Sequence, residues 1–303
     1  MKIYSETCDI CGDNKWKMSY SGAIRDGLHG KLYNKASVYQ CLKCGVQRLL
    51  ESDCIPSEYY ETGEYRKKLE QSLYAKDVIH EHDEALNKYT FEALWPHSIR
   101  NKNIVDIGCG SGHLLDALSG ASKNQVGIEP CSPYLTSIIE KGYEVYSSIQ
   151  DCTSKGREKY FDLGFSIQVI EHVLNPRSFL EDIRLLLKPG ADFLISTPNR
   201  DDILMSLMPD DFPSFFYRTQ HRWYFDANSL EFCAKSAGFE IVEMKYIHRY
   251  GMSNSLHWLR DKIPTGSEKI NGIDSLADGL WKAYLESSKK SDNLFLHLKV
   301  PDL

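Results

Sequence analysis

The run Ile104-Val105-Asp106-Ile107-Gly108-Cys109-Gly110-Ser111-Gly112 constrains this chain more than any other stretch. An apolar strand enters a turn with glycine at every second position, and a helical pattern follows at once. Three positions without side chains then lie beside a helix N-terminus, which suits a nucleotide-like cofactor. Glu129, 21 residues after Gly108, ends the next strand-like run, where its carboxylate can accept hydrogen bonds from two ribose hydroxyls. The spacing is G-x-G-x-G, not the G-x-G-x-x-G of dinucleotide binders, and His113 stands where the third glycine would be. Asp106 in the turn would repel a pyrophosphate but attract the ammonium of an amino acid moiety.

With 303 residues the chain is long enough for two domains. Its apolar runs fall short of the roughly 20 residues that span a bilayer, and the N-terminus lacks the apolar core of a signal peptide. A net charge of −6 argues against nucleic acid as the main partner. Nine cysteines, four of them in short motifs, suit reduced thiols in a cytoplasm better than a disulfide framework.

Three segments follow one another. Residues 1–55 carry the cysteine motifs. Residues 56–98 are rich in Glu, Lys and Tyr, with apolar residues at loosely helical spacing, and read as a helical linker. From residue 99 to 303, strands alternate with helices. The strands are expected over Asn103–Ile107, Gln125–Glu129, Glu144–Tyr146, Phe161–Ile167, Ala191–Ser196, Glu240–Tyr246 and Asn293–Val300. Ser132-Pro133 should open one helix as N-cap and first turn, and Asp226 should cap another. Such alternation predicts an α/β fold, a Rossmann-like doubly wound sheet of seven strands with ligands beyond the carboxyl ends.

At this point a resemblance enters. Val105–Gly112 resembles the first motif of class I S-adenosylmethionine-dependent methyltransferases. Phe161-Asp162-Leu163, Val169-Ile170-Glu171-His172-Val173, Leu186-Leu187-Lys188-Pro189-Gly190 and Ser196-Thr197-Pro198-Asn199 resemble the later motifs, in order. The resemblance covers about residues 99–247. It implies a seven-stranded sheet whose last strand is antiparallel. It also implies S-adenosylmethionine as cofactor, with Gly108, Cys109 and Gly110 bringing the backbone to it. Asp106 would lie near its amino acid end, Glu129 would hold the ribose, and Ile149 and Gln150 would meet the adenine. Gln168 would lie near the methionine moiety. For Glu171-His172, a structural pair capping the next helix and a cofactor contact both stay open. Tyr60 and Tyr65, in a Tyr-rich segment, would fold over the cofactor as part of a lid.

Cys8-Asp9-Ile10-Cys11-Gly12 and Cys41-Leu42-Lys43-Cys44-Gly45 are two C-x-x-C-G knuckles. Two residues between thiolates let both sulfurs reach one tetrahedral ion, and four sulfurs leave no open position, so a small zinc ribbon with a structural Zn2+ is expected. A redox dithiol is the rival reading, but that calls for one C-x-x-C, not two. The other cysteines read as small apolar residues. Lysines and aromatics between the knuckles are offset by Asp13 and Asp26, so a solvated ribbon face is favoured over an RNA-binding one.

The acceptor should sit near residues 200–225, an aromatic-rich connection beyond the strand tips that reads as a pocket wall or lid, or as a sealing hydrophobic cluster. Gln220-His221-Arg222-Trp223-Tyr224-Phe225-Asp226 resembles a stretch of sugar methyltransferases and of related quinone methyltransferases. Zinc-ribbon sugar C-methyltransferases carry a Glu-His pair here, and Gln220 replaces the Glu. A neutral amide cannot take a carbon-bound proton, which argues against C-methylation; for His221 a general base acting on a hydroxyl and a structural histidine both stay open. The resemblance thus implies O-methylation of a sugar or nucleotide-sugar in surface polysaccharide biosynthesis. The alternatives are RNA, a quinone-type small molecule, or cofactor binding without transfer. The insertion 251–292 carries Trp258, Leu276, Leu280 and Trp281 and suggests helices that form a second lid or a homodimer surface.

Overall fold

The computed structural model describes residues 6–26, 32–56, 58–62, 86–94 and 98–302. Strands β1 (Trp16–Arg25), β2 (Leu32–Cys41) and β3 (Gln47–Leu49) form the N-terminal ribbon. The main sheet holds β4 (Asn103–Ile107), β5 (Asn124–Ile128), β6 (Glu144–Tyr146), β7 (Phe161–Ile167), β8 (Leu187–Pro198), β10 (Glu240–Ile247) and β11 (Asn293–Lys299). A short β9 (Trp223–Tyr224) lies between β8 and β10 in sequence.

The main sheet has the order β10-β11-β8-β7-β4-β5-β6. β4 pairs in parallel with both β5 and β7, β7 pairs in parallel with β8, and β11 runs antiparallel to its neighbours β8 and β10. This is the expected Rossmann-like sheet with an antiparallel last strand. The chain winds outward from β4 through β5 and β6, then returns to the other side at β7. That reversal opens a crevice at the carboxyl ends of β4 and β7, where ligands of such sheets bind. The central strands are buried on both faces, as parallel strands between helix layers must be, so they read as continuous apolar runs.

Three expectations need correction. Glu129 lies just beyond β5 instead of ending it. β8 begins at Leu187, because Leu187 pairs with Phe161 and a register shift between Phe161 and Leu163 accommodates Pro189-Gly190. Cys131, in extended conformation, is the N-cap of the Ser132–Glu140 helix, and Ser132 is its first residue. The Asp226 cap does form: its side chain accepts from Ser229 N while Ser229 Oγ accepts from Asp226 N, a reciprocal capping box.

The largest difference concerns residues 200–225. Trp223 and Tyr224 pair antiparallel with Arg48 and Gln47, so β9 is the fourth strand of the ribbon sheet, in the order β1-β2-β3-β9. Nothing in a two-residue strand announces its partner 175 positions earlier. Ribbon residues Ile24, Ala36, Val38 and Leu49 then share one buried cluster with Leu204, Met208, Phe212, Phe216, Tyr217, Tyr224 and Trp258. The aromatic connection is therefore packed against the ribbon and the first insertion helix as a sealed apolar cluster. Trp258 comes from the first of two insertion helices, Met252–Asp261 and Ser275–Ser287. Leu276, Leu280 and Tyr284 on the second are exposed. Among the described residues, no helix is long and apolar enough to cross a membrane.

At the opposite end of the sheet, Asp192 of β8 receives Lys102 Nζ at 2.8 Å and faces His297 Nε2 at 3.1 Å. Burial alone would raise the Asp192 carboxyl, but hydrogen bonds to His297 and Lys102 outweigh it and hold the carboxyl well below the usual range. A group with a depressed folded pKa stabilises the fold above its unfolded value, about 3.9, and that contribution fades as pH falls through the folded value. Urea unfolding should therefore show Asp192→Asn clearly less stable than the parent at pH 7. The gap should narrow as pH drops below about 4. An equal gap at both pH values would refute this account.

Candidate functional site

The glycine turn is built as the sequence requires. Ile104, Val105 and Ile107 anchor β4 in the core and deliver Asp106 to its carboxyl end, 3% exposed. Gly108 (φ +78°), Gly110 (φ +53°) and Gly112 (φ +81°) all adopt left-handed conformations. A Cβ at Gly108 would overlap Val169, so the bare backbone lets the segment after β7 close against the loop. Gly108 N and Cys109 N both donate to Ile128 O, at 2.7 and 3.2 Å. Glu129 completes the clamp: its Oε2 accepts from Gly110 N at 2.8 Å and its Oε1 from Cys131 N at 2.9 Å. Each carboxylate oxygen keeps a further lone pair, so Glu129 can hold the loop and still accept from ribose hydroxyls.

A cavity of about 170 Å³ opens beside this loop. Asp106, Gly108, Cys109, Gly110, Ser111 and His113 line one side, Ile167 the β7 side, and Leu86, Asn87 and Thr90 the remaining wall. Residues 86–94 are helical, and Asn87 Nδ2 donates to His113 O at 3.1 Å, tying this helix to the turn. Asn87 and Thr90 were not among the expected site residues; their only signal was a polar i, i+3 pair on an otherwise amphipathic helix. Burial, and then the charge of Glu129, raise the Asp106 carboxyl to about 7. A cationic ammonium placed beside it would return it to its ionised form. The loop and this acid fit an adenosine cofactor that ends in an amino acid.

The other expected cofactor residues are distributed unevenly. Cys109 lines the cavity, and its Sγ packs over Gly127, where a Cβ would sit only 2.7 Å away. Ile149 is buried in the core at the start of the Ile149–Ser154 helix. Gln150 is exposed and donates to Asp182 at 3.0 Å. Gln168 sits at the tip of β7 with φ +60°, its amide donating to Ser196 Oγ at 3.2 Å and Asn293 Oδ1 at 3.1 Å. Neither Ile149, Gln150 nor Gln168 lines the cavity. Tyr60 lies on the short Glu58–Glu61 helix, but its side chain, like all of Tyr65, falls outside the described residues.

A second constellation lies across β7 from the glycine loop. Nitrogen and carboxylate atoms of Glu171, His172 and His221 all lie within 4.8 Å of one another. The imidazole rings of His172 and His221 meet edge to face, 4.7 Å between centroids. His172 Nδ1 donates to Gln220 O at 2.8 Å, which leaves its Nε2 toward Glu171 Oε1 at 4.0 Å. Glu171 is 1% exposed; Thr197 Oγ1 donates to its Oε2 at 3.1 Å, while Oε1 has no hydrogen-bond partner among the described residues. Burial raises the Glu171 carboxyl to about 7. Burial, together with the nearby Arg218, lowers His172 to about 4 and His221 well below the ordinary histidine range. At neutral pH both rings are therefore neutral. A carboxylate from another part of the chain, that of Glu171, thus stands beside the two imidazoles.

In the ribbon, Cys8 and Cys44 Sγ lie 3.7 Å apart and Cys11 and Cys41 Sγ 3.5 Å apart, with all four sulfurs within 4.8 Å of one another. A disulfide needs about 2.05 Å, whereas sulfurs at about 2.3 Å from one tetrahedral ion stand roughly 3.8 Å apart. The knuckle turns are closed by Gly12 N to Cys8 O at 2.8 Å and Gly45 N to Cys41 O at 3.0 Å. The four thiols fit a single tetrahedral metal ion.

Comparison with known proteins agrees with the fold of the main domain. A methyltransferase-domain family model matches residues 78–244, just over half of the chain. The ubiquinone biosynthesis O-methyltransferase of Stutzerimonas stutzeri is 31% identical over 110 residues, 34% of this chain and 47% of that protein. The human mitochondrial ubiquinone biosynthesis O-methyltransferase is 25% identical over 170 residues, 51% of this chain and 46% of that one. The chain spans about half the length of such curated relatives. A Thermotoga maritima structure, described as an S-adenosylmethionine-dependent methyltransferase and possible histamine N-methyltransferase, shares the fold. Its TM-score is 0.52 at 16% identity, covering 80% of this chain and 99% of that one. With its doubly wound sheet and glycine turn, the chain belongs to the class I S-adenosylmethionine-dependent methyltransferase family.

Proposed function

We propose that this protein transfers the sulfonium methyl of S-adenosylmethionine to a hydroxyl of a flat, quinol-type aromatic acceptor. The observation that carries the reading is the convergence of Glu171, His172 and His221, which starts two residues after Val169, the side chain that meets Gly108 of the cofactor loop. The names of the relatives favour a quinone-type acceptor over the sugar or nucleotide-sugar expected from the His221 stretch.

S-adenosylmethionine supplies the electrophilic methyl group. The chain's own residues position and deprotonate. The clamp of Gly108, Gly110 and Glu129 fixes the loop, and Asp106 receives the ammonium. His221 takes the hydroxyl proton as the oxygen attacks, and the Glu171 carboxylate stabilises the imidazolium so formed, as in other His–carboxylate pairs. Holding both reactants in line contributes most of the acceleration. The four thiols hold a structural Zn2+ in this reading, with no part in the transfer.

Incubation with labelled S-adenosylmethionine and separate pools of quinol analogues, nucleotide sugars and RNA tests the acceptor. Label should enter the quinol pool, and label confined to either of the other two would overturn the reading. With a labelled acceptor in hand, His221→Gln should lower kcat about 100-fold while cofactor affinity stays within about twofold. The rate should rise with pH through about 7 as Glu171 ionises, and Glu171→Gln should remove that limb. In Gly108→Ala the new methyl meets Val169, and calorimetry should show cofactor affinity weakened at least tenfold, or about 1.4 kcal/mol.

A further inference from the structure

We propose that the metal-binding ribbon is a positioning element for the acceptor-side base, so that loss of the thiol-bound ion disorders the His221 segment while leaving the cofactor loop intact. This inference rests on the assignment of His221 to the acceptor side.

The hydrogen bonds of residues 217–225 carry it. Tyr217 O accepts from Arg25 N at 3.0 Å, and Tyr217 OH donates to Gln47 Oε1 at 2.8 Å. Thr219 N donates to Arg25 O at 3.1 Å, and Thr219 O accepts from Ile55 N at 3.0 Å. Arg222 O accepts from Leu49 N at 2.9 Å, while its guanidinium bonds Ile55 O at 3.0 Å and pairs with Glu51. Trp223 and Tyr224 complete β9 against β3. The ribbon thus grips the segment on both sides of His221. His221 itself is turned the other way, onto the His172 ring.

The metal ligands sit directly on this scaffold. Cys44 lies three residues before Gln47, and Cys41 N donates to Val46 O at 2.9 Å, so the second knuckle sets the start of β3. A second strut leaves the same knuckle: Arg200 Nη1 donates to Gly45 O at 2.5 Å, and its Nη2 pairs with Asp226, the cap of the helix that follows the His221 segment. By contrast, the glycine loop is held by Ile128, Glu129 and the 86–94 helix, none of them in the ribbon. The His221 segment is thus held by the ribbon on one side and on the other by Glu171 O, which accepts from Arg222 N and Trp223 N, while the ribbon gives the glycine loop none of these bonds. A metal-bound knuckle is also the kind of element whose local stability depends on its ion.

The test is hydrogen exchange with mass spectrometry on the full chain as purified, after metal removal by a chelator and in Cys41→Ser. Amides of 217–225 should lose protection by at least tenfold, those of 103–112 should not change, and S-adenosylmethionine affinity by calorimetry should stay within twofold. Re-adding zinc should restore protection to the chelated protein but not to Cys41→Ser. Should Cys41→Ser fail to fold, Arg200→Ala cuts one strut and leaves all four thiols in place. It should loosen residues 223–226 with its metal content unchanged. Unchanged exchange over 217–225 after metal loss would overturn the proposal, as would a parallel collapse of cofactor binding. These readouts need no acceptor, so they stand or fall separately from the quinol assignment. Once an acceptor is known, metal loss should lower kcat and leave the cofactor KM in place.

Discussion

The contact on which the rest of the site depends is the one between the bare backbone of Gly108 and the side chain of Val169. β4 and β7 are neighbours because the winding of the sheet reverses between them. The turn after β4 and the segment after β7 must therefore share one small volume. Without a Cβ at Gly108, Val169 can enter that volume, and the chain continues directly into Ile170, Glu171 and His172. One glycine thus sets the separation between the cavity that suits the cofactor and the carboxylate–imidazole group that suits the acceptor. A protein interior is too closely packed to absorb an added methyl there by small adjustments.

Electrostatics arranges these two regions differently. Asp106 and Glu171 are both buried carboxyl groups raised to about 7, chiefly by loss of water. Asp106 faces a cavity and is suited to a cation that arrives with a ligand. Glu171 is surrounded by chain: Thr197 holds one oxygen, and backbone amides of Arg222 and Trp223 donate to its main-chain carbonyl. Its remaining oxygen faces two imidazoles that burial keeps neutral. The carboxyl and the two rings thus form one small buried polar group in a region of low dielectric.

Much of this was legible in the sequence, for identifiable reasons. Glycines at 108, 110 and 112 are dictated by left-handed backbone, and the strand limits of β4, β6 and β7 follow from apolar runs with clear boundaries. The cysteine knuckles declare themselves by spacing. Contacts between distant segments were not legible. β9 is two residues long and takes its identity from β3, so local pattern could not reveal it. Gln150 and Gln168 were placed by resemblance, yet each amide binds a neighbouring side chain instead, Asp182 for one and Ser196 with Asn293 for the other. Glu171 was visible as half of an acid–histidine pair at a strand tip, but its relation to His221 depends on the fold of the 49 intervening residues.

The pairing of β3 with β9 also bears on how the chain is made. Synthesis proceeds from the N-terminus, so β1, β2 and β3 leave the ribosome long before Trp223 and Tyr224 exist. Until then the outer edge of β3 and the apolar side chains of Ile24, Val38 and Leu49 have no cover from the clusters they join in the finished protein. An open strand edge beside apolar residues is a template for pairing with another chain. A nascent ribbon is therefore open to misassembly, because its last strand arrives only after most of the main sheet has been synthesised.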